Sequence, residues 1–141
     1  MGKMTGDEVR AFLEHGTRTI SVATVRADGR PHVAPVWFVL DGDDIVFNTS
    51  QTSVKGVNLL RDPRVSLVAD DETPPYAFVM IEGIATLEDD LAQLRHWATE
   101  IARRYMGEEL ADAYGQRNGV PGEFLVRVRP LKVISNNDVT A

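Results

Sequence analysis

The chain has no cysteine, which excludes a disulfide scaffold, a thiolate zinc site and an iron–sulfur cluster. Histidine is scarce too, and His15, His32 and His96 lie too far apart for metal-ligand spacing. No apolar run approaches the roughly 20 residues of a membrane-spanning helix. The start, Met1-Gly2-Lys3-Met4-Thr5, lacks the apolar stretch of a signal peptide. A cytoplasmic protein without a membrane partner is the expectation. Positive charge is also short: 15 Lys and Arg stand against 21 Asp and Glu, giving a net charge of −6 and a pI near 5.0. Phosphate-backbone binding needs clustered cations, and neither a basic stripe nor an interleaved aromatic pattern is present, so nucleic acid is not an expected partner. No Gly-x-Ser-x-Gly, P-loop or Rossmann glycine run occurs. No catalytic side chain and no metal ligand is therefore assigned.

What is present suits one domain over residues 1–141, with 43% hydrophobic residues, enough to bury about two-thirds of the unfolded surface. Thr5 and Glu8 form a capping box for a helix whose Val9, Phe12 and Leu13 share a face, with Gly16 as its stop. Ile20, Val22 and Thr24 alternate in a strand, and Asp28-Gly29 is a tight-hairpin signal. The return strand, His32 to Leu40, carries Pro35, which marks an edge or a bulge. Further strands are expected at Ile45–Thr49, Arg64–Ala69, Tyr76–Leu87 and Phe124–Ile134. The continuous run Phe78-Val79-Met80-Ile81 suggests two covered faces, one of them against a partner. Leu91, Leu94, Ala98, Ile101 and Tyr105 form one stripe of the longest helix, which ends at Gly107. Six closely spaced strands with inserted helices predict a mainly β (α+β) fold, a small antiparallel barrel with peripheral helices.

The stretch His32–Asn58 organises the chain. Two apolar strands flank the turn at Asp41-Gly42, and the second runs into Asn48-Thr49-Ser50-Gln51-Thr52-Ser53 before a short helix with Lys55 in its first turn. Helix-start amides, hydroxyls and a lysine together suit a phosphate. The strand at Pro35, Val36, Trp37 and Phe38 offers backbone groups and an aromatic surface to a flat ring. Each residue also has a plainer reading. Ser53 alone is an N-cap, and Lys55 alone is a solvated lysine. Yet only three lysines occur against twelve arginines, and this one sits where a phosphate would.

The order of Ala27-Asp-Gly-Arg-Pro-His32, Pro35-Val-Trp-Phe38, Lys55-Gly-Val-Asn58-Leu-Leu-Arg61-Asp62-Pro63-Arg64-Val65, Pro74-Pro-Tyr-Ala-Phe78 and Glu82-Gly83 resembles the pyridoxamine-phosphate-oxidase-like split β-barrel superfamily. Within it the chain is most similar to the short actinobacterial branch of coenzyme F420-dependent flavin/deazaflavin oxidoreductases (B type). The resemblance covers about Arg10 to Val133. It implies a six-stranded split barrel and a homodimer with two cofactor sites at the subunit interface. It also implies a deazaflavin (F420, alternatively FMN) lying along Pro35, Val36 and Trp37. The phosphate would be held by Asn48, Thr49, Ser50, Lys55 and Asn58. Pro75, Tyr76, Met80 and Ile81 of the other subunit would cover the ring. Some relatives carry a second basic residue where this chain has Ser53. The implied activity is hydride transfer from the reduced cofactor to an electron-poor small molecule. FMN oxidase or reductase activity and non-catalytic cofactor or haem binding are the alternatives.

The remaining candidates keep two readings each. Trp37 belongs to the core or interface, or stacks on a ring. Arg61 and Arg64 are surface charges beside Asp62-Pro63, or they attract an oligoglutamate tail. Arg127 and Arg129 face solvent or a dimer groove. Trp97 and Tyr105 read as helix packing, His15 and His96 as surface residues, and His32 as a possible pocket residue.

Overall fold

The computed structural model describes residues 2–141. In chain order the elements are α1 (Gly6–Glu14), β1 (Ile20–Val25), β2 (Pro31–Val36), β3 (Val39–Asp41), β4 (Asp44–Ser50), α2 (Val54–Arg61), β5 (Arg64–Asp70), β6 (Phe78–Glu88), α3 (Leu91–Met106), α4 (Glu108–Asn118) and β7 (Glu123–Asn136). Local chemistry sets several of these boundaries. The Thr5–Glu8 capping box is formed at both ends, and Ser53 and Asp90 accept the third amides of α2 and α3, from Gly56 and Gln93. Gly29, at a φ of 89°, closes the β1–β2 hairpin as the Asp-Gly pair predicts.

All seven strands form one antiparallel sheet in the order β2-β1-β5-β6-β7-β4-β3. Its two edge strands, β2 and β3, are separated in sequence only by Trp37 and Phe38. The sheet must therefore curl until its edges approach, which makes a split barrel. This corrects the expectation of six strands with one running from His32 to Leu40. Val36 pairs with Ile20 on β1, whereas Val39 pairs with Val46 on β4. The chain leaves one edge of the sheet and joins the other across two residues. Pro35 sits on the edge strand, where its missing N–H costs no ladder bond.

The seam is held from outside by α3. The Tyr105 hydroxyl accepts the Phe38 N–H at 3.1 Å and donates to the Arg18 carbonyl at 2.9 Å. Arg104 donates to the carbonyls of Phe38, Leu13 and Gly16 at 2.7, 2.7 and 3.0 Å. Trp37 lies flat on the Tyr105 ring, with centroids 4.9 Å apart. Burial lowers the basicity of Arg104 and pushes the Tyr105 phenol up. Trp37 is thus neither core nor free. It is 41% exposed and caps the seam.

The barrel interior holds Ile20, Val22, Phe38, Ile45, Phe47, Val79, Ile81, Val126 and Val128, each side chain contributing about 1.5–3 kcal/mol on burial. A second apolar cluster, Val46, Leu94 and Leu125 with Val39 and Trp97, lies between α3 and the outer face of β3, β4 and β7. Clean alternation along the last strand therefore fails at Leu125, which α3 covers. β6, by contrast, alternates: Val79 and Ile81 turn inward while Met80 is 43% exposed. Among the described residues no helix lies on the outer face of β2, β1, β5 and β6, where Val33, Ser66, Met80 and Glu82 are exposed.

Candidate functional site

The sequence-predicted phosphate site lies where β4 ends and α2 begins, with α2 resting mainly on β1. Ser53 caps the helix. Its Oγ donates to the Ser50 carbonyl at 2.8 Å and accepts the Gly56 N–H at 3.0 Å. The single Ser53 proton is used, so the 2.8 Å contact with Thr49 Oγ1 has Thr49 as donor. Ser53 and buried Thr49 thus satisfy each other within the fold. The Ser50 and Thr52 hydroxyls meet at 3.0 Å near the surface, and only one proton lies between them. One hydroxyl proton is left to donate outward.

Val57 donates to the Ser53 carbonyl, and Gly56 to the Ser53 side chain. The amides of Val54 and Lys55 have no partner among the described residues, as expected of the first helical positions. Lys55 is half-buried and makes no ion pair among those residues. Gly56 is what lets this end of α2 press on the loop. A β-carbon there would fall inside contact distance of the Ser50 carbonyl oxygen and 3.0 Å from Ser53 Oγ.

Not every predicted contact gathers here. Asn48 and Thr49 are consecutive on a strand and face opposite sides. Asn48 donates to Glu123 Oε1 at 2.9 Å on the outer side of β4, where Glu123 is also the register partner of Ser50. Asn58 is buried, and its amide donates to Thr24 Oγ1 at 3.0 Å, tying α2 to β1. Its carbonyl oxygen faces Arg61 at 3.5 Å. Val36 is buried in the barrel, and so is Ile81, at 2% exposure. Pro35 and Met80 lie on the uncovered outer face. The register runs Pro35–Ser21–Val68–Met80–Ile134 across five strands, and beside it Val33–Ala23–Ser66–Glu82–Lys132. Pro75 and Tyr76 are exposed on the loop before β6. Tyr76 has a φ of 61°, which costs a non-glycine residue about 1–2 kcal/mol, and its N–H bonds the Thr73 carbonyl at 2.8 Å.

Among the other candidates, Arg64 is paired with Asp62 at 2.8 Å. Arg61 donates to the Val25 carbonyl, so the surface reading holds for both. Arg127, partly exposed, meets Asp41 at 2.6 Å and lies over Trp97. The Arg104–Tyr105 clamp has no local sequence signal, since its partners lie more than 60 positions away in the chain.

The sequence model of the pyridoxamine 5'-phosphate oxidase family matches residues 5–137. The chain belongs to this family. Within the pyridoxamine 5'-phosphate oxidase family, a pyridoxine/pyridoxamine 5'-phosphate oxidase of Cupriavidus metallidurans is 30% identical over 106 residues. That match covers 67% of this chain but 50% of the relative, so the chain spans half the length of that relative. A solved structure of a conserved hypothetical protein from Mycobacterium tuberculosis is 28% identical, with a TM-score of 0.84 over 96% of this chain and 86% of its own. An F420 reductase shares the fold at 23% identity and a TM-score of 0.71, covering 88% of this chain and 94% of that one. A haem storage protein of Vibrio cholerae and an FAD-binding protein of Mesorhizobium loti share it at 22% and 18% identity. This one barrel therefore carries oxidases, reductases and haem binders.

Proposed function

We propose that the chain is one half of an oxidoreductase that holds coenzyme F420, or FMN as the alternative, in a site completed by a second copy of itself. One observation carries the reading. At the start of α2, Lys55 without an ion pair among the described residues, two unpartnered amides and the one spare hydroxyl proton of the Ser50–Thr52 pair share one end of a helix, and the fold leaves each of these donors open. That set fits a phosphate through charge, dipole and donors together. Lys55 is the one cation of this set, since Ser53 stands where some relatives carry a second basic residue.

In a redox protein of this kind the hydride chemistry resides in the cofactor, while the protein binds, orients and shields it. Here Lys55 and the α2 amides would fix the phosphate, and the free edge of β2 at Pro35 would present backbone to the ring. Val36 and Asn58 support these elements from within, and Asn48 ties β4 to Glu123 on the outer side. The single chain gives this site no opposing wall. The uncovered outer face, with Val33 65% exposed and Met80 and Ile134 also open, is the kind of apolar patch that marks an interface. A second copy seated there would bring Met80, Pro75 and the strained Tyr76 toward the ring. The acceptor class is an electron-poor small molecule.

The test is a fluorescence titration with F420 and with FMN, repeated on Lys55→Ala. Loss of one charged contact weakens binding by about 1.5–3 kcal/mol, roughly 10- to 150-fold. Unchanged affinity refutes the Lys55 assignment, and tighter binding of FMN than of F420 selects the alternative. A monomer by analytical ultracentrifugation at working concentration refutes the shared site.

A further inference from the structure

Beneath α1 lies a cleft of about 480 Å³ that shares only Ile81 with the candidate cofactor residues. Its floor is apolar, formed by Met4, Val9, Leu13, Leu40, Ile81 and Val133. The irregularity in β7 explains why it is open. At the shift between Glu82 and Gly83, Glu82 pairs with Lys132 and Gly83 with Pro130, leaving Leu131 outside the ladder. That shift sets Val133 opposite Ile81, on the core-facing side. Ile81 is 2% exposed there, whereas Val133 is 40% exposed. On this face Val133 is left open beside the buried Ile81 and Leu13.

The charges at the mouth are not balanced. Arg10 is engaged by the Gly42 carbonyl and the Asp43 carboxylate, both at 2.5 Å. Asp44 stands 3.6 Å from Arg127. Lys3 and Arg129, which also border the cleft, have no acidic partner among the described residues. Ser135 Oγ accepts the Met4 N–H at 2.9 Å, so its own proton is free to donate. The groups left over are two cations and a hydroxyl donor above an apolar floor.

We propose that this cleft binds an apolar small molecule bearing one carboxylate, of the medium-chain fatty acid class. Its volume is about three times the ~150 Å³ that takes up a benzene and lies within the usual ~300–1,000 Å³ of small-ligand sites. The chain lies along Val9, Leu13, Ile81 and Val133, and the carboxylate meets Lys3, Arg129 and Ser135. Affinity rises by up to about fourfold per methylene added while the floor is being filled.

The experiment is calorimetric titration of the full chain with hexanoate, octanoate and decanoate at submicellar concentration. Decanol and decylamine serve as head-group controls, and amide shifts in two-dimensional NMR locate the site. The expected result is tightening with chain length, shifts centred on Met4, Val9 and Val133, and decylamine at least tenfold weaker than decanoate. Lys3→Gln combined with Arg129→Gln should remove the preference for the carboxylate while leaving decanol unchanged, and Val133→Trp should fill the cleft and abolish all three. Absence of saturable decanoate binding, shifts centred elsewhere, or equal binding of acid and amine overturns the proposal. The charge variants decide the matter if Val133→Trp does not fold.

Discussion

Gly56→Ala tests how the fold builds the candidate phosphate site, because here a single methyl group meets backbone. The new β-carbon would collide with the Ser50 carbonyl oxygen and sit 3.0 Å from Ser53 Oγ. Neither can move freely: the Ser50 carbonyl accepts both the Ser53 N–H at 3.1 Å and the Ser53 hydroxyl at 2.8 Å. Overpacking of this kind costs about 1–3 kcal/mol, and disturbing the Ser53 cap costs about 0.5–2 kcal/mol. Against this stands the gain of about 0.5–1 kcal/mol for alanine over glycine in a helix. The net is a loss of about 0.5–4.5 kcal/mol, or a urea midpoint lowered by about 0.3–2 M for an m-value near 2 kcal/mol/M. Gly6, in the first turn of α1, is the control. A β-carbon there meets nothing within 4 Å, so Gly6→Ala should stabilise by about 0.4–1 kcal/mol. Urea melts followed by tryptophan fluorescence measure both, and titration with F420 or FMN should show weakened binding only for Gly56→Ala. A Gly56→Ala protein as stable as the parent would show that α2 does not rest on the Ser50 loop as described.

Tyr105→Phe keeps the ring stacked on Trp37 but strands the Phe38 N–H and the Arg18 carbonyl. A loss of about 1–3 kcal/mol is expected in urea melts, and a change below 0.5 kcal/mol would show that water replaces the hydroxyl. Burial raises the Tyr105 pKa above 10.0 in the folded state, so its contribution is complete below that pH and is lost as pH rises further. Tyr105→Phe should flatten this alkaline limb. Thr24→Val leaves the buried Asn58 amide without its partner and should cost about 1–3 kcal/mol by the same melts. Arg64, through its side chain first and then its backbone N–H, holds the Asp62 carboxyl down to about 2 from 3.8. The Asp62 contribution is therefore present above about pH 4 and is lost as pH falls through about 2, and Asp62→Asn should lack that acid dependence.

Elements with local signals were legible from the residues themselves. The Thr5–Glu8 box and the Asp28-Gly29 turn each report geometry within four residues. Pro35 narrows its strand to an edge or a bulge, and the sheet order makes β2 an edge. The break at Trp37–Phe38 has no such signal, because the run Val36 to Leu40 is uniformly apolar. What divides it is a hydroxyl and a guanidinium from α3. Leu125 looks like an outward residue until α3 is laid over it. Within the site, Lys55 and Ser53 were legible as a helix start. Period two along β4 was enough to separate Asn48 from Thr49, but a polar run invites reading as a unit. Asn58 shows the opposite problem: its spacing from Lys55 puts both on one helical face, and only the third dimension shows that face tilting into β1.

The seam between the two sheet edges has a consequence for how the chain is made. Tyr105 follows Phe38 by 67 positions, so at ribosomal rates the clamp emerges about 3–13 s after the residues it locks. During that interval the nascent hairpins carry two raw strand edges, which invite pairing with neighbouring chains. Translation pauses between β3 and the end of α3 would lengthen this exposure, and the yield of soluble protein should fall with them.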